Sequence, residues 1–342
     1  MEKSKTMNET LTTPAIQKKQ KAPHDIPYIS RPNEISNDTY HNGSEYQDFI
    51  SSTSLKHYMI SPKYARWARE NKKIKDSEAL RFGSIYHDML ASLTNYGDLA
   101  GFEKAWAIFE PPVNPRTQQP FGATSQAYID AYQQASIDAD GRELYSQVEI
   151  NKAKAMIEEL LEGSKHLSSN IKRFIQNGKA EQSHFLTYQG QGFKYRTDLK
   201  TRKIILDWKT TTLEIPKIEH FPKQIIKLGY HISAAMYQFF EHELTDQWRK
   251  FYWVVQEKEP PYDFTILDSS EWTWYVHPDG EIEPKIGALE FIKLMEQHIL
   301  CEEDQEWPGY SIFIQPDWKG YRIGKPGIPG YYKQREFGFY ND

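Results

Sequence analysis

The chain has 342 residues, enough for one large domain or two modest ones, and its 42 Lys and Arg against 47 Asp and Glu leave a net charge of −5. That balance excludes a protein that coats nucleic acid through a global positive field, though not an enzyme with a local basic lining. The single cysteine, Cys301, excludes an internal disulfide framework and a four-cysteine iron–sulfur site, and no apolar run reaches the length of a membrane span or a signal core. A cytoplasmic protein with no membrane partner is the expectation.

Residues 1–45 are polar, carry Gln17-Lys18-Lys19-Gln20-Lys21 and lack apolar periodicity, so they read as a disordered tail, with order beginning near Tyr46. Thr53 or Ser54 can cap a helix through Leu55, Tyr58 and Met59, which Ser61-Pro62 interrupts and restarts. Phe82, Ile85, Tyr86, Met89, Leu90 and Leu93 then recur at helical spacing, with His87 among them. Residues 94–125 hold Pro111-Pro112, Pro115, Pro120 and Gly122 and read as an irregular insertion. Helices are expected over Ser125–Ala135 and Gly141–Leu161, with a further short one to Ile175. Glu181–Tyr188 alternates as a strand, and Gly190-Gln191-Gly192 turns the chain into a hairpin of Phe193–Leu199 and Ile204–Thr210. A helix over Phe221–His242, strands over Trp248–Gln256 and Tyr262–Leu267, and a helix over Lys285–His298 complete the pattern. From Trp307 the chain is rich in Gly, Pro and aromatics and reads as a tail or lid. Residues 46–342 are thus expected to form one α/β domain.

The hairpin carries the chemistry. In its simplest register Leu199 faces Ile204 and Asp198 faces Ile205, so Asp198, Ile205, Asp207 and Lys209 share a face. Two carboxylates at close range in a buried strand repel unless a cation lies between them, and a hard divalent ion such as Mg²⁺ prefers oxygen ligands. Lys209 can then reach a phosphate or an attacking water. The competing reading is a surface hairpin with a solvated Asp-Lys pair. Glu181 is either a further acid near the metal or a plain strand-end carboxylate, and His87 either a ligand or a structural histidine. Tyr230 and Tyr237 lie two turns apart on one helical face, which packs on the sheet or points a hydroxyl at a phosphate. Lys194, Arg196 and Lys227 are the candidate DNA contacts; the alternative for each is a solvated position.

With these residues assembled, the chain resembles the PD-(D/E)xK nuclease superfamily, and within it the RecE (exodeoxyribonuclease VIII) family of phage-type recombination exonucleases. Four segments, in order between about Thr53 and Leu244, carry the resemblance. They are Thr53-Ser54-Leu55-Lys56-His57-Tyr58 with Ser61-Pro62, Phe82-Gly83-Ser84-Ile85-Tyr86-His87, Arg196-Thr197-Asp198 with Asp207-Trp208-Lys209-Thr210-Thr211, and Tyr230-His231-Ile232-Ser233-Ala234-Ala235-Met236-Tyr237. The last departs from the family pattern, with Ser233 where the family has glutamine.

The resemblance implies a central mixed sheet flanked by helices. It also implies His87, Asp198 and Asp207 as metal ligands, the Trp208 carbonyl as a fourth, and Lys209 as the group that orients or activates water. The implied cofactor is Mg²⁺, and a nitrogen ligand suggests that Mn²⁺ is accepted too. The implied activity is exonucleolytic hydrolysis of linear double-stranded DNA from 5′ ends, leaving 3′ single strands for annealing-type recombination. A homo-oligomer and a single-strand annealing protein as partner follow by the same analogy. The rival readings are a structure-specific endonuclease on the same core and a catalytically inactive DNA-binding module. A Gly-rich phosphate loop and a Gly-x-Ser-x-Gly elbow are both missing from the sequence.

Overall fold

The structure, a computed structural model, describes residues 25–71, 78–166, 170–212 and 220–309. The first part of the expected tail and nearly all of the Gly/Pro/aromatic C-terminal segment lie outside these residues. In chain order the elements are β1 (Tyr28–Ile29), α1 (Asn37–Asn42), α2 (Ser52–Lys56), α3 (Pro62–Glu70), α4 (Glu78–Tyr96), α5 (Ala100–Ala105), β2 (Trp106–Ile108), α6 (Gln126–Asp138), β3 (Glu143–Tyr145), α7 (Gln147–Gly163) and α8 (Ile171–Asn177). The second half supplies β4 (Lys179–Tyr188), β5 (Gln191–Lys200), β6 (Ile204–Thr211), α9 (Phe221–Leu228), α10 (Tyr230–Thr245), β7 (Lys250–Glu257), β8 (Phe264–Asp268), β9 (Trp274–Val276), β10 (Ile282–Pro284) and α11 (Ile286–Asp304). Among the described residues, no helix is long and apolar enough to cross a membrane.

One mixed sheet in the order β1-β4-β5-β6-β7-β8 organises the molecule. Its pairs are antiparallel except β6–β7, which run parallel and are joined through α9 and α10. This is the mixed α/β sheet flanked by helices that the sequence led one to expect. Strands β6 and β7 are central and covered on both faces, which accounts for the near-continuous apolar runs Ile204-Ile205-Leu206 and Trp253-Val254-Val255. On one face Leu199, Leu206, Trp208 and Val254 pack against the apolar stripes of α4, α7 and α8. On the other, Phe193 and Tyr195 meet Ile232, Met236 and Phe240 of α10 and Phe291 of α11. Ile205, Phe251, Trp253 and Val255 cover Phe221 and Ile225 of α9.

A buried charged network pins α10 to the sheet. Glu241 is fully buried and accepts hydrogen bonds from Tyr195 Oη at 2.9 Å, Lys200 Nζ at 2.6 Å and Arg249 Nη1 at 2.5 Å, with His184 Nε2 at 3.1 Å. A carboxylate placed there without such partners would cost several kcal/mol, so its neighbours fix where α10 sits.

The structure corrects five local expectations. Order extends upstream of Tyr46: Tyr28 and Ile29 pair with Phe185 and His184, and the Tyr46 ring stacks on Phe185 at 4.4 Å between centroids. That segment is polar overall, yet Ile35 and Tyr40 within it, and Tyr46 at its end, are buried. Helix α2, the first that the sequence led one to expect, is capped by Ser51, not Thr53 or Ser54. The helix expected from Gly141 begins at Gln147, behind a Ser146–Glu149 capping box, because Glu143–Tyr145 pairs in parallel with β2 instead. The long helix expected over Phe221–His242 is broken at Gly229, whose φ of 63° is left-handed. Residues 94–125, expected to be wholly irregular, contain the end of α4, all of α5 and β2.

Candidate active site

Strands β5 and β6 pair at Leu199↔Leu206 and Lys200↔Ile205, two residues away from the expected register. Continued one step, that register sets Asp198 directly across from Asp207. The ladder stops there. Asp198 Oδ2 accepts the Trp208 backbone N–H at 2.9 Å, and β6 turns its pairing to β7 along its whole length. The two aspartates therefore sit where β5 and β6 part, at an opening in an otherwise continuous sheet.

Helix α4 places His87 at this opening from one side. Its Nδ1 is 3.5 Å from Asp198 Oδ2, and its Nε2 is 3.1 Å from the Trp208 carbonyl oxygen. Trp208 itself is buried in the cluster beneath α4, which fixes the direction of that carbonyl. Lys209 Nζ donates to the same oxygen at 3.3 Å and forms an ion pair with Asp207. Burial works against the Lys209 ammonium, but the charges of Asp207 and Asp198 outweigh it and hold its pKa above the usual value. Burial pushes the Asp207 carboxyl up, with Lys209 opposing it.

Glu181 completes the acidic group. It occupies the position on β4 opposite Asp198, between the pairs Ala180↔Leu199 and Gln182↔Thr197, with a left-handed φ of 53°. A glutamate in that region is strained, and strain of this kind persists where surrounding structure imposes it. Ligand atoms of His87, Glu181 and Asp198 all lie within 4.8 Å of one another. Burial, then the negative charge of Asp198, pushes the Glu181 carboxyl up to about 8, with Arg196 offsetting part of this.

These residues fit a divalent cation. Two largely buried carboxylates and an imidazole converge within reach of a single ion. Oxygen donors dominate the set, as a hard cation prefers, with one nitrogen. Asp207 stands beside this trio, tied to Lys209, so Glu181 is closer to the heart of the cluster than an auxiliary role implied.

The other sequence candidates fall differently. The Lys209 ammonium lies 4.8 Å from the centroid of the Tyr230 ring, bringing that tyrosine to the site. Tyr237 packs against Tyr195 and Phe251, and its hydroxyl is held well above its ordinary pKa by burial and then by neighbouring groups including Asp207 and Asp198. Lys194 is not a groove residue: it is buried, and its ammonium donates to the carbonyls of Tyr40 at 2.6 Å and Tyr46 at 3.0 Å. Arg196 donates to Ser183 Oγ and the Ile35 carbonyl, each at 2.9 Å, and lies 3.7 Å from Glu181. Lys194 and Arg196, two of the three expected DNA contacts, instead clamp the N-terminal segment to the sheet. Lys227 is exposed on α9. His231, of the same motif as Tyr230 and Tyr237, is buried between the Ile225 carbonyl and Glu290. Sequence reasoning gave no role to Lys56, whose ammonium reaches Ser233 Oγ and the Leu228 carbonyl, each at 3.2 Å. The one available signal was the serine at position 233, too short to fill a glutamine's space.

The model of a family described as PDDEXK-like domain of unknown function (DUF3799) matches residues 51–312. No curated protein matches the chain. Among solved structures, a protein from Eubacterium rectale that carries a provisional exonuclease description aligns at 14% identity and a TM-score of 0.46, over 90% of this chain and 99% of that one. A likeness that loose carries no argument.

Proposed function

This chain belongs to the family of PDDEXK-like domains of unknown function (DUF3799), and from that premise we propose that it is a metal-dependent nuclease. The observation that carries the proposal is the Trp208 carbonyl, approached by His87 from one side and Lys209 from the other, with Asp198, Glu181 and Asp207 around it. His87, Glu181, Asp198 and the Trp208 carbonyl would hold the ion, with Asp207 adjoining. A divalent ion bound there supplies a Lewis acid for the phosphate oxygen and a more acidic water.

The chain's own groups do the rest. Lys209, positioned by Asp207 and the Tyr230 ring, would orient the attacking water and stabilise charge developing on the phosphate. The opening between β5 and β6 leaves these groups on a shared edge that a nucleic-acid backbone can approach. Mg²⁺ is the proposed ion, with Mn²⁺ tolerated through the His87 nitrogen.

The finer reading extends the sequence resemblance: a RecE-like exonuclease that resects linear duplex DNA from 5′ ends, works as a homo-oligomer and feeds a single-strand annealing protein. A duplex labelled separately at its 5′ and 3′ ends, digested beside a covalently closed circle in Mg²⁺ and in EDTA, tests it. Early release of the 5′ label with an intact circle supports resection. Opening of the circle replaces it with an endonuclease, and Mg²⁺-independent binding without cleavage replaces it with a DNA-binding module.

A further inference from the structure

Lys56 lies at the C-terminal end of α2, a helix of only five residues, and crosses to the junction of α9 and α10. Gly229 permits the crossing: a Cβ there would stand 2.5 Å from Lys56 Cδ. The ammonium donates to the Leu228 carbonyl and to Ser233 Oγ, both at 3.2 Å, and Ser233 in turn donates to the Gly229 carbonyl at 3.4 Å. Among the described residues, two of its three N–H groups are used on neutral oxygens, leaving one.

The electrostatic setting is unusual. Among the described residues no carboxylate contacts Lys56, and the charged groups that act on it are Lys209, which repels, and Asp207, which attracts. Burial, then the Lys209 charge, draws its pKa down to about 8. Both ammoniums meet the start of α10, with Lys209 4.8 Å from the Tyr230 ring centroid and Lys56 against the adjoining Gly229. The site thus sets acidic and basic groups side by side: His87, Glu181 and Asp198 within reach of one cation, and Lys209 over the Tyr230 ring next to Gly229, on which Lys56 packs. The acidic group can take a cation, and the two ammoniums at the start of α10 can take an anion. A phosphodiester coordinated to a divalent ion answers both.

We propose that Lys56, steadied by Ser233 and the Leu228 carbonyl, is a phosphate-binding residue of this site, and that it and Lys209 clamp the nucleic-acid backbone between them. Ser233 serves the clamp by being short: it leaves room for Lys56 and gives it an acceptor. This rests on the nuclease reading. It differs from that reading in what it assigns, since Lys56 would govern substrate affinity rather than the metal or the water.

The test uses the full chain with Lys56→Met, Lys56→Arg and Ser233→Ala, each checked for wild-type thermal unfolding. Binding of a short fluorescein-labelled DNA duplex is measured by anisotropy in EDTA over a series of salt concentrations. Lys56→Met is expected to weaken binding by roughly tenfold and to lower the slope of log affinity against log salt by about one, as loss of a single phosphate contact does. Lys56→Arg should keep the slope, and Ser233→Ala should weaken binding less than Lys56→Met. In Mg²⁺ or Mn²⁺, Lys56→Met should raise KM more than it lowers kcat. Wild-type affinity and slope in Lys56→Met would overturn the assignment and return Lys56 to tying α2 to α10. A wild-type protein that cleaves nothing would sink the nuclease reading, while the binding series would still decide Lys56. A wild-type protein that binds no duplex would overturn both.

Discussion

The Asp198 carboxylate accepts the backbone N–H of Trp208 at 2.9 Å, and in doing so it takes the place of a strand. Beyond Leu199↔Leu206 the β5–β6 ladder is no longer paired, and this side-chain bond covers a donor that would otherwise be orphaned at the opening. Asp198 therefore has a structural and a proposed metal-binding duty, and substitution can separate them. Asp198→Asn should keep an acceptor oxygen for Trp208 and unfold near wild type, yet lose metal-induced stabilisation and cleavage. Asp198→Ala should lose both and also about 1–3 kcal/mol of stability from the unsatisfied N–H. Denaturant unfolding with and without Mg²⁺ reads the two apart; equal stabilisation of Asp198→Asn and wild type by metal would count against the ligand role.

Glu181 gives a pH dependence of definite sign. Its folded pKa, about 8, is above that of an unfolded glutamate, so the associated stability is fully present below pH ~4.3 and is lost as pH rises through about 8. Metal-free protein in EDTA should melt at progressively lower temperature across that window. A divalent cation should raise Tm more at pH 8 than at pH 5, and Glu181→Gln should flatten the metal-free profile. An unaltered profile in Glu181→Gln would place the titrating group elsewhere.

Asp207 and Lys209 act as a unit joined by an ion pair. Asp207→Ala should abolish cleavage and leave a folded protein, since it removes a carboxylate and a repulsion with Asp198 together. Lys209→Met should retain the metal-induced rise in Tm while slowing cleavage by roughly 10²–10⁴-fold, the usual range for a positioned proton-handling group. Loss of metal response in Lys209→Met would contradict its assignment to water and phosphate.

His87 is the nitrogen donor of the cluster. His87→Ala should weaken metal binding, shifting the concentration of Mg²⁺ or Mn²⁺ needed for half-maximal cleavage upward, with the larger proportional shift for Mn²⁺. A titration that superimposes on wild type would leave His87 as a structural histidine holding the Trp208 carbonyl.

The Glu241 network should govern behaviour in acid. Burial raises the Glu241 carboxyl, but His184 and Lys200 outweigh it and hold its pKa at about 2. A depressed folded pKa means stability present above pH ~4.3 and lost as pH falls toward 2. Burial also lowers the His184 pKa, so charging that ring in acid opposes folding further. Glu241→Gln should cost about 3–5 kcal/mol at neutral pH, because Lys200 and Arg249 are left facing each other, and should soften the acid transition. Urea unfolding at neutral and acid pH measures both.

The chemistry-bearing spacing was legible because it is local: Arg196-Thr197-Asp198, Asp207-Trp208-Lys209 and the helix with His87 can each be read within a dozen residues. The register was not. Lys200 looked like a turn residue, yet it belongs to β5 because its ammonium is buried against Glu241, 41 positions along the chain. The error was two residues, and since side chains alternate with period two it preserved which residues share a face. Glu181 could not be weighed because its importance comes from the strand opposite it. Lys56 meets Ser233 across 177 positions, and only a fold brings them together. Lys194 and Arg196 looked like surface cations because the carbonyls they serve lie in a segment whose composition gives little sign of order.

The parallel pairing of β6 with β7 also bears on how the protein is made. Asp207 and Lys209 have little hold on β5, and their strand is secured along Ile204–Thr211 by Lys250–Glu257. A nascent chain that has emerged only as far as α10 owns every residue of the proposed site but cannot yet fix two of them. Parallel pairing across an intervening pair of helices is also a late, non-local step in folding. A polypeptide still on the ribosome, or one terminated early, would therefore carry the cutting groups unassembled, and competence would arrive together with the last strands of the sheet.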